Sequence, residues 1–334
     1  MRIGLAGAGR IGAFHAETVG GLDAVDAVVI HDEVPAAAAA VADRLGQRTA
    51  DDFDALLRQV DAVVITTPTG IHAELLRRAV AAGVPTFCEK PVALTLTETI
   101  ELVEAVESTR VPVQIGFQRR FDRGYQRARA AVRSGELGFL HTLRANTHDQ
   151  APPPAAYIPT SGGLFRDCSI HDFDIIRYVT GREVASAYGI GANKGADFFT
   201  EGGDVDTCAA LLTLDDDTLV TVTATRYNGG GHDVRLEVMG SAGTLGVGYD
   251  DSLALRSAED GVDYPRGPQK WSFMERFQPA YRRELATFVE VAAGRLPSPC
   301  TVRDALQAFR VAEACDLSLH RRTPVELAEI ADAS

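Results

Sequence analysis

A strand that runs straight into three spaced glycines constrains this chain more than any other feature. Ile3, Leu5 and Ala6 form a short apolar run, and Gly7, Gly9 and Gly12 follow at G-x-G-x-x-G spacing. Each glycine has its own task in a dinucleotide site. Gly7 permits the tight turn out of the strand, Gly9 lets a pyrophosphate approach the backbone, and Gly12 lets the next helix pack close to the sheet. The start of that helix offers unpaired N–H groups and the positive end of a dipole to phosphate. A second apolar run, Ala27 to Ile30, ends at His31 and Asp32, where an acid for the ribose hydroxyls belongs. Asp32 followed by Glu33 repels a ribose 2′-phosphate, so NAD is favoured over NADP. A ligand-free strand–turn–helix would explain the glycines but not the glycines and the acid together. The plain alternative for Asp32 is a helix cap ahead of Pro35.

From residue 1 to about 118, short apolar strands alternate with helices, which implies a parallel sheet. Ala62 to Thr66 reads as a strand, Thr67-Pro68-Thr69-Gly70 as the loop after it, and Ile71 to Ala82 as a helix closed by Gly83. Pro85 to Cys88 is a further strand, running into Glu89-Lys90-Pro91. Beyond residue 120 the character changes. A helix is expected from about Arg123 to Ser134 and another near Asp167 to Val179. Val220, Val222 and Ala224 alternate with threonines, and Val234, Leu236 and Val238 alternate with Arg235 and Glu237. Gly240-Ser241-Ala242-Gly243 then turns the latter run into Thr244 to Val247, a hairpin signal. Leu285, Phe288, Val289 and Ala292 mark a helix, and Thr301 with Asp304 marks the capped start of a later one. The expected fold is α/β: a Rossmann domain over 1–119, then an α+β domain over 120–334 on a largely antiparallel, open-faced sheet.

The 334 residues carry a net charge of −13, which disfavours nucleic acid and anionic membranes as partners. No stretch approaches the ~20 apolar residues of a membrane span. A strand beginning almost at Met1 leaves no room for a signal peptide, so a cytoplasmic location is expected. Cys88, Cys168, Cys208, Cys300 and Cys315 are odd in number and lack the close pairing of a zinc or redox motif. Reduced thiols fit best, with Cys168 read as buried filler and a place near the active site as its alternative.

Two stretches could carry chemistry. Lys90 follows a strand of the nucleotide domain, at the sheet end where ligands gather, and its ammonium can donate to a substrate oxygen. Asp167 and His171 are four apart and would share a helix face, a common way to build a general base near neutral pH. Asp172 and Asp174 are expected to point elsewhere, solvated or capping. A metal reading would need a further ligand, for which His148 with Asp149 is the candidate; no metal is expected.

The glycine motif, Glu89-Lys90-Pro91, Gly116-Phe117-Gln118-Arg119-Arg120-Phe121-Asp122 and Asp167-x-x-x-His171 occur in the order seen in the Gfo/Idh/MocA family, which nearly the whole chain resembles. Residues 149–154, 162–167 and 203–207 are most similar to its myo-inositol 2-dehydrogenase branch. The resemblance implies an NAD-dependent, zinc-free oxidation of a secondary hydroxyl of a cyclic polyol or sugar to a ketone. Lys90 would hold the hydroxyl oxygen, His171 would take its proton, and Asp167 would orient and charge-balance the pair. A cis bond at Lys90–Pro91 is plausible. The implied coenzyme contacts are Gly7, Gly9, Arg10, Ile11 and Gly12, then Asp32, Thr67, Pro68 and His72, then Glu89 and Lys90. The implied substrate contacts are Lys90, Arg119, Asp149, Asp167, His171, Tyr227 and His232, with Arg119 equally suited to a salt bridge. One departure stands out. Many inositol dehydrogenases carry Tyr-Gly-Tyr-Asp where this chain has Gly230-Gly231-His232-Asp233, with Tyr227 displaced upstream. The resemblance also implies a homo-oligomer, tetramer or dimer, through the second domain's sheet. An NAD-using glycoside hydrolase and a dehydrogenase for a different sugar are the alternatives.

Overall fold

The computed structural model describes residues 1–331. The chain divides into two compact units, Met1–Phe121 with Pro279–Leu306, and Asp122–Gln278 with Gln307–Ser334.

The first unit is a parallel six-stranded sheet in the order β3-β2-β1-β4-β5-β6. Its strands are β1 (Arg2–Ala6), β2 (Ala27–His31), β3 (Arg48–Thr49), β4 (Ala62–Ile65), β5 (Thr86–Glu89) and β6 (Val113–Gly116). The connections carry α1 (Arg10–Gly20), α2 (Pro35–Leu45), α3 (Phe53–Leu57), α4 (His72–Ala81) and α5 (Leu96–Glu107). Ile3, Leu5, Val28, Ile30, Ala62 and Val64 are buried, as expected of central strands covered on both faces. Pro35 opens α2 with its φ already set, and Gly46 closes it in the left-handed region at φ 63°. The strand order reverses between β1 and β4, so the crevice at their carboxyl ends is the ligand position of such a sheet.

The second unit holds a seven-stranded sheet in the order β12-β11-β7-β10-β9-β8-β13. The chain passes through α6 (Arg123–Arg133), β7 (Leu140–His148), α7 (Ile170–Thr180), β8 (Val184–Ala192), α8 (Phe198–Glu201), β9 (Thr207–Leu214), β10 (Leu219–Thr225), β11 (Asp233–Gly240) and β12 (Gly243–Val247). Then come α9 (Phe273–Ala292), α10 (Val302–Arg321), β13 (Val325–Glu326) and α11 (Leu327–Ala331). Only β7 and β10 pair in parallel; the other neighbours are antiparallel. Leu143, Val220, Leu212 and Val238 share one buried row. The opposite face carries Arg144, Thr221, Leu211 and Glu237, with Leu211, Leu219 and Ile190 exposed. The open-faced sheet of the sequence reading is therefore present.

Three features depart from that reading. Residues 279–306 belong to the first unit rather than following a single break near residue 120, because Leu285 and Phe288 of α9 are part of its core with Ile3, Leu5 and Phe87. The Cys300 carbonyl also accepts from the Ile115 N–H at 2.9 Å. The helix expected from Asp167 begins as a π turn, Phe165–Ser169, and becomes α-helical at Ile170. Asp172 and Asp174 are fully buried, not solvated. Asp172 accepts from the Thr147 hydroxyl at 2.7 Å, a hydrogen bond that offsets part of its desolvation.

Candidate active site

In the first unit the glycine loop has the form a dinucleotide needs. Gly7 has φ 98°, and a Cβ there would lie 2.7 Å from the Thr66 carbonyl carbon. A Cβ on Gly12 would fall 1.9 Å from the Gly7 carbonyl oxygen, so only glycine lets α1 start this close to β1. A Cβ on Gly9 would meet nothing within 4 Å. Gly9 is the N-cap of α1, and no side chain hydrogen-bonds to cap the helix there. This arrangement fits a pyrophosphate. Asp32 lies where the ribose acid belongs, and it also braces the loop. Its carboxylate accepts from Ala8 N–H at 2.7 Å and from Val34 N–H at 2.8 Å. Two acceptor positions on those oxygens are thereby used, and others remain for hydroxyls. Arg10 and Pro68 are exposed, and Ile11 and Thr67 half-buried, around the same loops.

Lys90 sits half-buried immediately after β5, and the Lys90–Pro91 bond is cis. Several coenzyme candidates beside it are structural. His72 is buried, with Nδ1 2.7 Å from the Pro91 carbonyl oxygen and Nε2 2.6 Å from that of Thr67. Burial pulls its pKa down, and the Pro91 and Thr67 carbonyls oppose this without reversing it. The neutral ring has one N–H and donates it to one of these carbonyls, and the ring packed between both ties the loop after β4 to the turn after Lys90. Glu89 is held at 2.6 Å by Nε2 of the fully buried His15 on α1. Arg119, the substrate candidate of this unit, is also buried. It belongs to a charged cluster inside the first unit. Burial, Glu89 and Glu284 push the Tyr281 hydroxyl's pKa up, against the opposing effect of Arg119 and Arg10.

The second unit's chemistry is assembled at one end of its sheet. Register pairs Thr147 with Ala224 and with Val234, all facing the core. Two residues further along each strand, on the same face, stand Asp149, Arg226 and His232. They meet there. Nη1 of Arg226 donates to Asp149 Oδ2 at 3.0 Å, and His232 Nδ1 lies 3.3 Å from Asp149 Oδ1. Nη2 of Arg226 donates to Asp167 Oδ2 at 2.5 Å, and the Tyr157 hydroxyl donates to Asp167 Oδ1 at 3.1 Å. Burial raises the pKa of Asp149, but His232 and Arg226 outweigh it and hold the carboxyl down at about 2. Burial likewise disfavours the Arg226 cation, and Cys168, Asp167 and Asp149 together more than offset that. Cys168 is buried and also borders this cluster, its thiol 3.5 Å from Asp149 Oδ2, so both readings of it hold together.

His171 is half-buried in the first turn of α7, four residues after Asp167. The π turn widens the backbone just before it, a distortion often found at functional sites. Tyr227 is engaged elsewhere. Its hydroxyl accepts from Ala196 N–H at 3.0 Å, and its ring stands edge-on to Phe199. His148 turns to the opposite face, with Nε2 3.0 Å from the Thr223 hydroxyl and Nδ1 3.9 Å from Asp233. Among the described residues no three His, Cys, Asp or Glu side chains form a metal-binding group. Arg226 and Tyr157 were absent from the sequence reading. Arg226 was detectable: the inward positions 220, 222 and 224 extend by parity to 226. Tyr157 gives no such signal.

Comparison with known proteins agrees with both units. Residues 1–117 match an oxidoreductase family with an NAD-binding Rossmann fold, and residues 125–246 match the Gfo/Idh/MocA C-terminal domain. A myo-inositol dehydrogenase from Streptomyces leeuwenhoekii is 38% identical, over 95% of this chain and 97% of its own. A scyllo-inositol 2-dehydrogenase (NAD(+)) from Bacillus subtilis is 35% identical, over 98% of this chain and 96% of its own. A scyllo-inositol dehydrogenase from Lactobacillus casei, solved with NAD(H) and scyllo-inositol, superposes with a TM-score of 0.89 at 30% identity, covering 98% of this chain and 99% of that one. These relatives are dehydrogenases, and none of them favours the glycoside hydrolase alternative. The chain belongs to the Gfo/Idh/MocA family of NAD-binding oxidoreductases.

Proposed function

We propose that this protein oxidises a ring hydroxyl of an inositol to a ketone with NAD⁺. Bound NAD⁺ would supply a hydride acceptor. The Gly7–Gly12 loop and the open start of α1 would hold its pyrophosphate and Asp32 its ribose, with Arg10, Ile11, Thr67 and Pro68 around them. Lys90 would hold the reacting oxygen through its ammonium and favour negative charge there. His171 would accept the hydroxyl proton, and Asp167 would support the imidazolium that results. Asp149 and His232 would bind further ring hydroxyls. The observation that carries the polyol reading is the row Asp149–Arg226–His232. It sets charged acceptors and donors along a sheet end, as recognition of a ring of hydroxyls requires.

The chain's own residues favour an inositol other than myo-inositol as readily as myo-inositol itself, since His232 stands where many relatives of that branch place tyrosine. We further propose a cytoplasmic enzyme and a homotetramer formed through the open sheet face bearing Ile190, Leu211 and Leu219. All five cysteines are free thiols, in keeping with a reducing compartment. Among the described residues no helix is long and apolar enough to cross a membrane. The test is a panel of inositol isomers and aldoses assayed with NAD⁺ and NADP⁺ for absorbance of the reduced coenzyme. Oxidation of at least one inositol, abolished in Lys90→Met, is the expected result. A panel in which no inositol reacts, or undiminished turnover in the variant, would refute the reading.

A further inference from the structure

Arg226 has the buried setting of a device rather than of a surface ion pair. Its side chain is 5% exposed, and one guanidinium spans two carboxylates from different segments, Asp149 at the end of β7 and Asp167 in the π turn. Only a planar fork with several donors does this. A lysine in the same place could give a point charge to one of them, not a fixed separation of both. Tyr157 donates to Asp167, His232 and Cys168 contact Asp149, and Asp204, bonded to the Leu164 and Val205 N–H groups, adds a nearby carboxyl that burial pushes up in pKa. Without Arg226 the two carboxylates would lose the guanidinium that bridges them, and the repulsion left between them would raise the proton affinity of one.

We propose that Arg226 is a positioning residue for the reaction. By clamping Asp149 and Asp167 together it keeps Asp167 an oriented anion that supports His171, and it links the grip on the substrate ring to proton removal. The inference rests on the roles given above to Asp167 and His171. It adds that the two carboxylates act as one unit, so a substrate hydroxyl settling on Asp149 is felt at Asp167 through a single guanidinium.

The test uses the full chain, myo-inositol or whichever inositol the panel shows to react best, and NAD⁺, with pH profiles of kcat and kcat/KM. Arg226→Met should lower kcat at pH 7 by about 100-fold and move the acid limb of the kcat profile upward by about one pH unit or more. Affinity for NAD⁺, followed by fluorescence titration, should hold and also report folding. Arg226→Lys should move the limb in the same direction by less. Adding Asp149→Asn to Arg226→Met should restore part of the lost kcat, because it removes the competing carboxylate; a merely structural role would make the double variant worse. Should Arg226→Met fail to fold, Arg226→Lys decides by its limb. A limb in the wild-type place in every folded Arg226 variant would overturn the proposal. Asp167→Asn separates the two readings. If it is inactive while the Arg226 variants keep the wild-type profile, this inference alone fails. If it turns over normally, the role of Asp167 fails and takes this inference with it.

Discussion

The two units present chemistry in different materials. In the first, the proposed coenzyme seat is made of backbone: a positive-φ glycine, a helix start without a side-chain cap, and one carboxylate bracing the loop. In the second, the proposed site is made of charged and polar side chains, those of residues 149, 157, 167, 226 and 232, joined by hydrogen bonds and ion pairs. A backbone site is sensitive to shape and nearly indifferent to pH. A side-chain site of this kind is sensitive to charge and forgiving of small changes in volume. Substitutions in the two units should therefore fail in different ways.

The largest effect is expected where the backbone has no room. Gly12→Ala would place a methyl 1.9 Å from the Gly7 carbonyl oxygen and 2.7 Å from the Thr66 hydroxyl oxygen. Neither can yield without breaking the turn, so a loss of about 3 kcal/mol in stability should accompany loss of NAD⁺ binding. Denaturant melts and a fluorescence titration measure the two. An alanine variant that binds NAD⁺ normally would show that the turn is not held by shape.

The second unit should respond to pH instead. Asp149 has its pKa depressed to about 2 in the folded chain, against an ordinary value near 3.8. The folded value lies below the unfolded one, so this group adds stability above about pH 4, and that contribution fades as pH falls towards 2. Its size is about 2 kcal/mol. Asp149→Asn should cost that much at pH 7 and little at pH 2, read from urea midpoints across the range. Equal losses at both ends would mean that Asp149 contributes by packing and not by charge.

The same contrast explains what the sequence made legible. Glycine spacing is local, so Gly7, Gly9, Gly12 and Asp32 could be located from one stretch of chain, and the alternation of strands and helices through residue 118 carried the first sheet with it. The roles proposed for Lys90, Asp167 and His171 rest on motif order. The second sheet was only partly readable. β10, β11 and β12 alternate cleanly, whereas β8 is broken by Gly189 and Gly191, and β7 has His141 and Thr147 among its inward positions beside Leu143 and Ala145. The row Asp149–Arg226–His232 depends on register between strands far apart in the chain, which no single stretch encodes. The role of Leu285 and Phe288 in the first unit's core is non-local in the same sense. Asp172 and Asp174 were misjudged because charge alone predicts solvation, and the partner that makes burial tolerable, Thr147 for Asp172, lies on another element.

The smallest effects compare two helix starts. At α1 the N-cap is Gly9, without a side-chain cap and with open space where a Cβ would go. At α10 the start is closed: Thr301 and Asp304 cap each other, with Thr301 N–H to Asp304 Oδ2 at 2.8 Å and Asp304 N–H to Thr301 Oγ1 at 3.2 Å. Gly9→Ala should leave the melting temperature within a degree or so and weaken NAD⁺ by about tenfold, roughly 1.4 kcal/mol, because its methyl takes space a phosphate needs. Thr301→Ala should do the reverse, lowering stability by about 1 kcal/mol with NAD⁺ affinity and turnover unchanged. Calorimetric melts with and without NAD⁺ separate the cases. If both variants lost only stability, the open start of α1 would be a weak cap and not a seat for phosphate. If both lost affinity, α10 would be part of the coenzyme site, and the distinction between a helix end kept free for a ligand and one satisfied by its own side chains would not hold in this unit.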